Sequence, residues 1–84
     1  MERYTNKNND VYAVLDKHME KAILRLGLLE DAYEELIARQ AQTVANLENM
    51  RIQGREKTAR YKETLTQKLV DGMVIAFLRE RGFE

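Results

Sequence analysis

The chain has 84 residues and contains no proline, cysteine or tryptophan. Its 14 basic and 14 acidic side chains cancel, so bulk charge predicts neither nucleic acid nor a membrane surface as a partner. A chain of this length buries only about 60–65% of the surface of its unfolded form, and it lacks the cysteines for disulfides and the histidines for a metal site. We therefore expect oligomerisation to supply the missing stability.

The first residues are polar and show no apolar periodicity. They predict a flexible N-terminal arm, residues 1–9, in front of a single helical domain, residues 10–84. Asn9 or Asp10 is a suitable helix cap, because a short polar side chain accepts a hydrogen bond from the free amides of the first turn. The first helix is expected to begin at Val11.

Apolar residues recur at every third or fourth position from there almost to the end of the chain. This spacing returns a side chain to the same helix face at each turn and predicts an all-α protein. The positions are Val11, Leu15, Met19, Ala22, Leu26, Leu29, Tyr33, Leu36, Val44, Leu47, Met50, Tyr61, Leu65, Leu69, Met73 and Ala76.

Two glycines decide the number of helices, since glycine is unfavourable inside a helix and favoured just after its end. At Gly27 the apolar phase continues and no capping residue follows, so we favour an unbroken helix; a break there would give a three-helix bundle. At Gly54 the apolar stripe thins, which favours a helix ending near Ile52 or Gln53 with Gly54 in the left-handed conformation. The prediction is a long helical hairpin, and the alternative is one continuous rod.

A turn at Gly54 would place Leu36 opposite Asp71 and bring the apolar stretches 22–29 and 73–78 together. Residues 73–78 are all apolar, so one neighbouring helix covers only part of that turn, and we expect a second copy to cover the rest in a four-helix or coiled-coil assembly. The residues predicted for self-association are Leu26, Leu29, Leu69, Met73, Val74, Phe77 and Leu78.

Residues for catalysis are not apparent, and we expect no enzyme activity, no metal and no cofactor. The chain has no serine or cysteine nucleophile and no glycine-rich phosphate loop. The only histidine, His18, is interpreted as a partly buried, hydrogen-bonded side chain, with a proton-linked switch as the alternative. The carboxylates of Glu30, Asp31, Glu34 and Glu35 are interpreted as a solvated face, with a divalent cation site as the alternative.

Charge is unevenly distributed along the chain. Residues 51–68 carry six basic and two acidic side chains. This segment has three interpretations: a phosphate-binding surface, a contact for an acidic surface of another protomer, or a solvated face. Five of the six basic residues are predicted to make the contact with phosphate or with an acidic surface: Arg51, Arg55, Lys57, Arg60 and Lys62.

The segment Ala45-Asn-Leu-Glu-Asn-Met-Arg51, followed by Arg55-Glu56 and Ala59-Arg60, resembles the end of the long dimerising helix in GrpE-type nucleotide exchange factors. The pieces are more closely spaced here, and the chain has no room for the β-domain of that family. The resemblance implies a dimeric helical stalk.

The sequence thus predicts a non-enzymatic helical interaction module, an adaptor or inhibitor that docks on a partner protein and self-associates through its apolar base. The alternative is a nucleic-acid-binding accessory protein that uses the basic segment 51–68. Salt discriminates between them, because phosphate contacts weaken steeply as salt rises. Without an apolar stretch of about 20 residues or a signal-peptide pattern, we expect a cytoplasmic location and no membrane partner.

Overall fold

The computed structural model describes all 84 residues and is mostly helical, with two helices and a small two-stranded sheet. In chain order the elements are β1 (Asn6–Asn8), β2 (Val11–Ala13), a 3-10 turn (Asp16–His18), α1 (Met19–Ile52) and α2 (Ala59–Glu80). The chain divides into an N-terminal unit, Met1–Ala32, and a C-terminal unit, Tyr33–Glu84. Neither helix has the length and apolar composition needed to cross a membrane.

The N-terminal unit begins with a β-hairpin, so the predicted helix start at Val11 is wrong. β1 and β2 pair antiparallel, with Asn8 opposite Val11. Asn9 and Asp10 form the two-residue connection and both have positive φ, 52° and 66°. A type I′ hairpin turn requires positive φ at both positions, and asparagine and aspartate tolerate that conformation better than most residues. The two side chains that suggested a helix cap therefore form a strand connection.

Helix α1 runs through Gly27 without a break, as favoured from the sequence, and the three-helix alternative is wrong. A β-carbon built on Gly27 would meet no atom within 4 Å. Glycine is therefore not required at this position. The backbone there is ordinary helix, and a larger side chain would have room.

Both helices end in the same glycine-dependent motif. After α1, Gly54 has φ 71°, and the amide of Arg55 donates to the carbonyl of Met50 at 2.8 Å. After α2, Gly82 has φ 94°, and the amide of Phe83 donates to the carbonyl of Leu78 at 3.0 Å. These are Schellman motifs, in which a left-handed residue lets later amides satisfy the last free carbonyls. The predicted left-handed turn at Gly54 is confirmed.

In the C-terminal unit, residues 33–52 of α1 and the helix α2 contact each other in antiparallel order. Thr58 caps α2, because its hydroxyl accepts from the amide of Tyr61 at 3.2 Å. The sequence predicts Leu36 opposite the region of Asp71; the residue that contacts Asp71 is Arg39, three positions further along α1. The chain between the helices extends over residues 53–58, which is longer than the tight turn assumed from the sequence and displaces the register.

The core of the C-terminal unit is small. Its buried apolar side chains are Tyr33, Leu47, Met50 and Ile75. The phenol oxygen of Tyr33 accepts a hydrogen bond from Arg79 Nε at 2.9 Å, and its ring meets the ring of Phe83 edge-on with centroids 4.7 Å apart. The left-handed Gly82 directs the chain back so that Phe83 closes this end of the helix pair.

The turn at Gly54 gives a first test. Gly54→Ala should lower the free energy of unfolding by about 1 kcal/mol, because alanine disfavours positive φ even where its methyl group has room. Gly27→Ala is the matched control and should raise the free energy of unfolding by up to about 1 kcal/mol, since alanine favours a helix interior. Urea unfolding followed by circular dichroism measures both; equal signs for the two substitutions would contradict the assigned backbone conformations.

Candidate interaction surface

The contact between α1 and α2 is centred on a buried carboxylate. Asp71 is only 1% exposed, the lowest value among the large side chains. Its Oδ2 accepts from Arg39 Nε at 2.9 Å, and its Oδ1 accepts from Arg39 Nη2 and from Gln67 Nε2, each at 2.8 Å. Parallel hydrogen bonds of this kind between a guanidinium and a carboxylate are strong and geometrically specific. The two helices are joined here by a polar interaction.

These bonds keep Asp71 ionised. The hydrogen bonds from the Arg39 guanidinium lower the pKa of the Asp71 carboxyl, against the effect of burial, which raises it; the amide of Gln67 and the positive charge of Arg39 lower it further. The same pairing raises the pKa of Arg39. A buried charge without such partners would be strongly destabilising, so the helix pair depends on this contact.

The apolar residues of α2 lie on its outward side. Of the predicted series in this helix, Leu69 is 58% and Met73 is 70% exposed, and Leu65 and Ala76 are also exposed. The face of α2 that meets α1 contains Asp71 and Ile75. We call Leu65, Leu69, Met73, Ala76 and Phe77 the outer stripe of α2. An ordinary surface helix has the opposite arrangement, with its apolar side toward the core.

Beside the outer stripe, a groove runs between the two helices of the C-terminal unit. It is lined by Ile37, Gln40, Ala41, Gly72, Ile75, Ala76 and Arg79. Three of these residues, Ala41, Gly72 and Ala76, have little or no side chain, which leaves space between the helices. The oxygen Oε1 of Gln40 is buried and has no hydrogen-bond partner within the chain.

The residues predicted for self-association are nearly all exposed. Val74 and Phe77 are exposed like Leu69 and Met73, whereas Leu78 is half-buried. Within residues 73–78 only Ile75 is buried, so one neighbouring helix covers only part of this turn, as the sequence indicated. Arg81 lies 4.6 Å from the centre of the Phe77 ring and covers part of its face. In the N-terminal unit, Leu26 and Leu29 are exposed.

In the N-terminal unit, the first residues pack along the beginning of α1. Tyr4 lies between His18, with ring centroids 5.6 Å apart, and Arg25, whose guanidinium lies 4.0 Å above the Tyr4 ring. Arg25 also donates to the carbonyl of Glu2. His18 is half-buried beside Tyr4, and its ring makes no hydrogen bond.

The acidic residues of α1 do not form a cluster suited to a cation. Glu30, Asp31, Glu34 and Glu35 are all exposed. In the whole chain no group of three or more histidine, cysteine, aspartate or glutamate side chains is placed to hold a metal ion.

The basic residues near the turn are exposed and only partly gathered. Arg55 and Arg60 line one depression, together with Asn46, Asn49, Met50 and Gln53. Arg51 is engaged by Glu48 at 3.3 Å on the same helix, while Lys57 and Lys62 are exposed without an ion pair. The structure thus brings two of the five predicted contact residues, Arg55 and Arg60, into one concave surface.

Sequence reasoning missed the Arg39–Asp71 pair and the groove. Asp71 interrupts the apolar stretch from Leu69 to Leu78, and a carboxylate in that position is itself a signal of a buried partner. Nothing in the sequence indicates which of the 14 basic residues supplies that partner. Gly72, next to Asp71 in the middle of α2, is the corresponding signal for the groove, since an interior glycine weakens a helix unless something approaches closely.

Comparison with known protein families, curated proteins and solved structures finds no match to this chain. The dimeric stalk implied by the resemblance to GrpE-type exchange factors stays a prediction.

The lowered pKa of Asp71 predicts the pH dependence of stability. Near pH 4 the unfolded chain binds a proton at Asp71 that the folded chain does not, so this group stabilises the fold above about pH 4 and loses that effect as pH falls further. Asp71→Asn should be less stable than the wild type at pH 7 and should lose less of its remaining stability between about pH 4 and pH 2. Urea unfolding at several pH values measures this difference. Parallel pH profiles for the two proteins would contradict the assignment.

Proposed function

We propose that this chain is a non-enzymatic helical interaction module, a hairpin of two helices that docks on a partner protein and associates with further copies of itself through the outer stripe of α2. The single observation that carries the proposal is the inverted arrangement of α2. Its buried face is centred on an ion pair, while Leu69, Met73 and Phe77 are exposed to solvent.

The free energy of burial supports this function. Removing apolar surface from water contributes about 25 cal/mol per Å², and exposed apolar patches of several hundred Å² mark interaction sites in soluble proteins. The outer stripe provides helix-spaced anchors at Leu65, Leu69 and Met73, the pattern by which one helix lies in a groove of another protein. An adaptor or inhibitor acts by this kind of docking and needs no catalytic residues.

A charged residue in the outer stripe tests the proposal. Leu69→Glu should leave the helix content unchanged, because the side chain is 58% exposed, but it should dissociate the self-associated protein, because the carboxylate would be buried without a partner. Ile52→Glu is the matched control: Ile52 is 74% exposed, lies at the end of α1 outside the stripe, and its replacement should leave association unchanged. Sedimentation equilibrium over a wide concentration range measures both variants. A wild-type protein that stays monomeric at every concentration would refute self-association.

The depression at the turn favours a second candidate, a nucleic-acid-binding accessory protein. Arg55 and Arg60 lie there with three amide side chains, those of Asn46, Asn49 and Gln53. Guanidinium groups pair with phosphate oxygens through parallel hydrogen bonds, and amide side chains also contact the backbone of nucleic acids. We rank this candidate second, because the concave surface gathers only two cations.

Replacing Arg51, Arg55 and Arg60 together with glutamine tests this candidate. If the arginines hold phosphates, the substitution should abolish a gel shift with single-stranded RNA or DNA, leave the helix content intact, and reduce the log–log slope of affinity against salt by roughly one for each lost contact. If the basic segment instead meets an acidic surface of another protomer, the same triple substitution should weaken self-association. A wild-type protein without any shift at low salt would remove nucleic-acid binding from consideration.

A further inference from the structure

One line of residues along α2 follows the spacing of a coiled-coil seam and joins two leucines of the outer stripe to two small residues that line the groove. Leu65, Leu69, Gly72 and Ala76 are separated by four, three and four positions, so they form one line along the helix. The first two are large and the last two are small. This line lies at the edge of the groove, because Gly72 and Ala76 themselves line it.

We propose that a second copy of the chain packs its α2 antiparallel against this line, with Leu69 of each copy over Gly72 of the other and Leu65 over Ala76. The inference rests on the proposed function and specifies its self-association. In a two-fold dimer each contact occurs twice. Along the line the side chains run from two large ones to two small ones, so in a reversed second helix the large side chains of one copy lie opposite the small ones of the other. Large side chains opposite small ones are what interdigitated packing requires.

A parallel arrangement of the two α2 helices would pack the same residues poorly. In a parallel pair, Leu69 would face Leu69 and Gly72 would face Gly72, which leaves a gap at the glycines and places two large side chains in one layer. In the antiparallel pair, the leucine of the second copy fills the space that Gly72 leaves open. Ile37 and Ala41 of α1 line the same groove and complete the pocket for that leucine.

Charges at the two ends of the line support the same orientation. Lys62 lies one turn before Leu65, and Glu80 lies one turn after Ala76; both are exposed, and neither forms an ion pair within the chain. Reversing the second helix brings Lys62 of one copy near Glu80 of the other, at both ends of the dimer. Arg79, which lies close to Glu80, donates to Tyr33 and lies 4.0 Å from Glu84, so its charge already has partners.

The occupant is a second copy, because the side chains of this line and the charges at its two ends are complementary to the same residues of a reversed helix. The same interface covers Leu65 and Leu69, which are exposed in the isolated chain.

The first experiment compares two glycine-to-alanine substitutions. A β-carbon on Gly72 would lie 3.5 Å from Gln40 Nε2, an ordinary contact, so one chain accepts alanine at this position. Gly72→Ala should nevertheless raise the Kd of the dimer tenfold or more, because its methyl group occupies the space for Leu69 of the second copy. Gly27→Ala, the control within α1, should leave the Kd within twofold. Sedimentation equilibrium measures the Kd, and circular dichroism verifies the helix content.

The second experiment is a charge swap, which does not depend on packing at Gly72. Lys62→Glu should raise the Kd of the dimer several-fold at low salt, and the double variant Lys62→Glu with Glu80→Lys should restore it. Recovery in the double variant is specific to the antiparallel pairing, since a purely local effect of either substitution would add to the other.

The outcomes separate this inference from the proposed function. If the wild type self-associates and Leu69→Glu dissociates it, but Gly72→Ala matches Gly27→Ala and the charge swap gives no recovery, the antiparallel contact is overturned and the interaction module stands. If the wild type is monomeric throughout, self-association is refuted together with this contact. A tenfold effect of Gly72→Ala with recovery in the charge swap establishes the contact.

Discussion

The ion pair between Asp71 and Arg39 is the interaction on which the C-terminal unit depends. A carboxylate that is 1% exposed is stable only when its lone pairs are satisfied, and here three hydrogen bonds do so. The geometry also sets the register. A slip of α2 by one turn would separate Asp71 from Arg39 and leave a buried charge without its partner, whereas an apolar contact would tolerate such sliding more easily. The polar contact therefore contributes specificity as well as attachment.

The position of this pair determines where the apolar residues go. Because Asp71 faces α1, the residues a third to half of a turn around the helix, among them Leu69 and Met73, necessarily face away from it. The apolar surface of α2 thus remains available, and the small core around Leu47 and Ile75 contributes only part of the hydrophobic free energy that the composition of the chain allows. This division connects the fold to the proposed function, since the same helix has a specific inner contact and an exposed outer surface, through which we propose that the chain associates.

The ends of the helix pair are stabilised by local backbone chemistry. Glycines 54 and 82 take the left-handed conformation and satisfy the last carbonyls of their helices. The second of these turns also positions Phe83 against Tyr33, so a local motif contributes to a tertiary contact. At the other end, the hydroxyl of Thr58 begins α2 directly after the turn. Each of these helix boundaries thus has a local capping interaction.

The sequence by itself determined the helical content, the continuity of α1 through Gly27 and the left-handed turn at Gly54, because all three follow from interactions between residues close in the chain. It did not determine the β-hairpin at Asn9 and Asp10, since the same two side chains also suit a helix cap. Only the tertiary structure decided that Asp71 pairs with Arg39, 32 positions away, and that the apolar line of α2 faces outward. The periodicity of a helix shows which residues share a face, but a single buried charge decides which face turns inward, because the cost of leaving that charge unpaired exceeds the gain from burying a leucine.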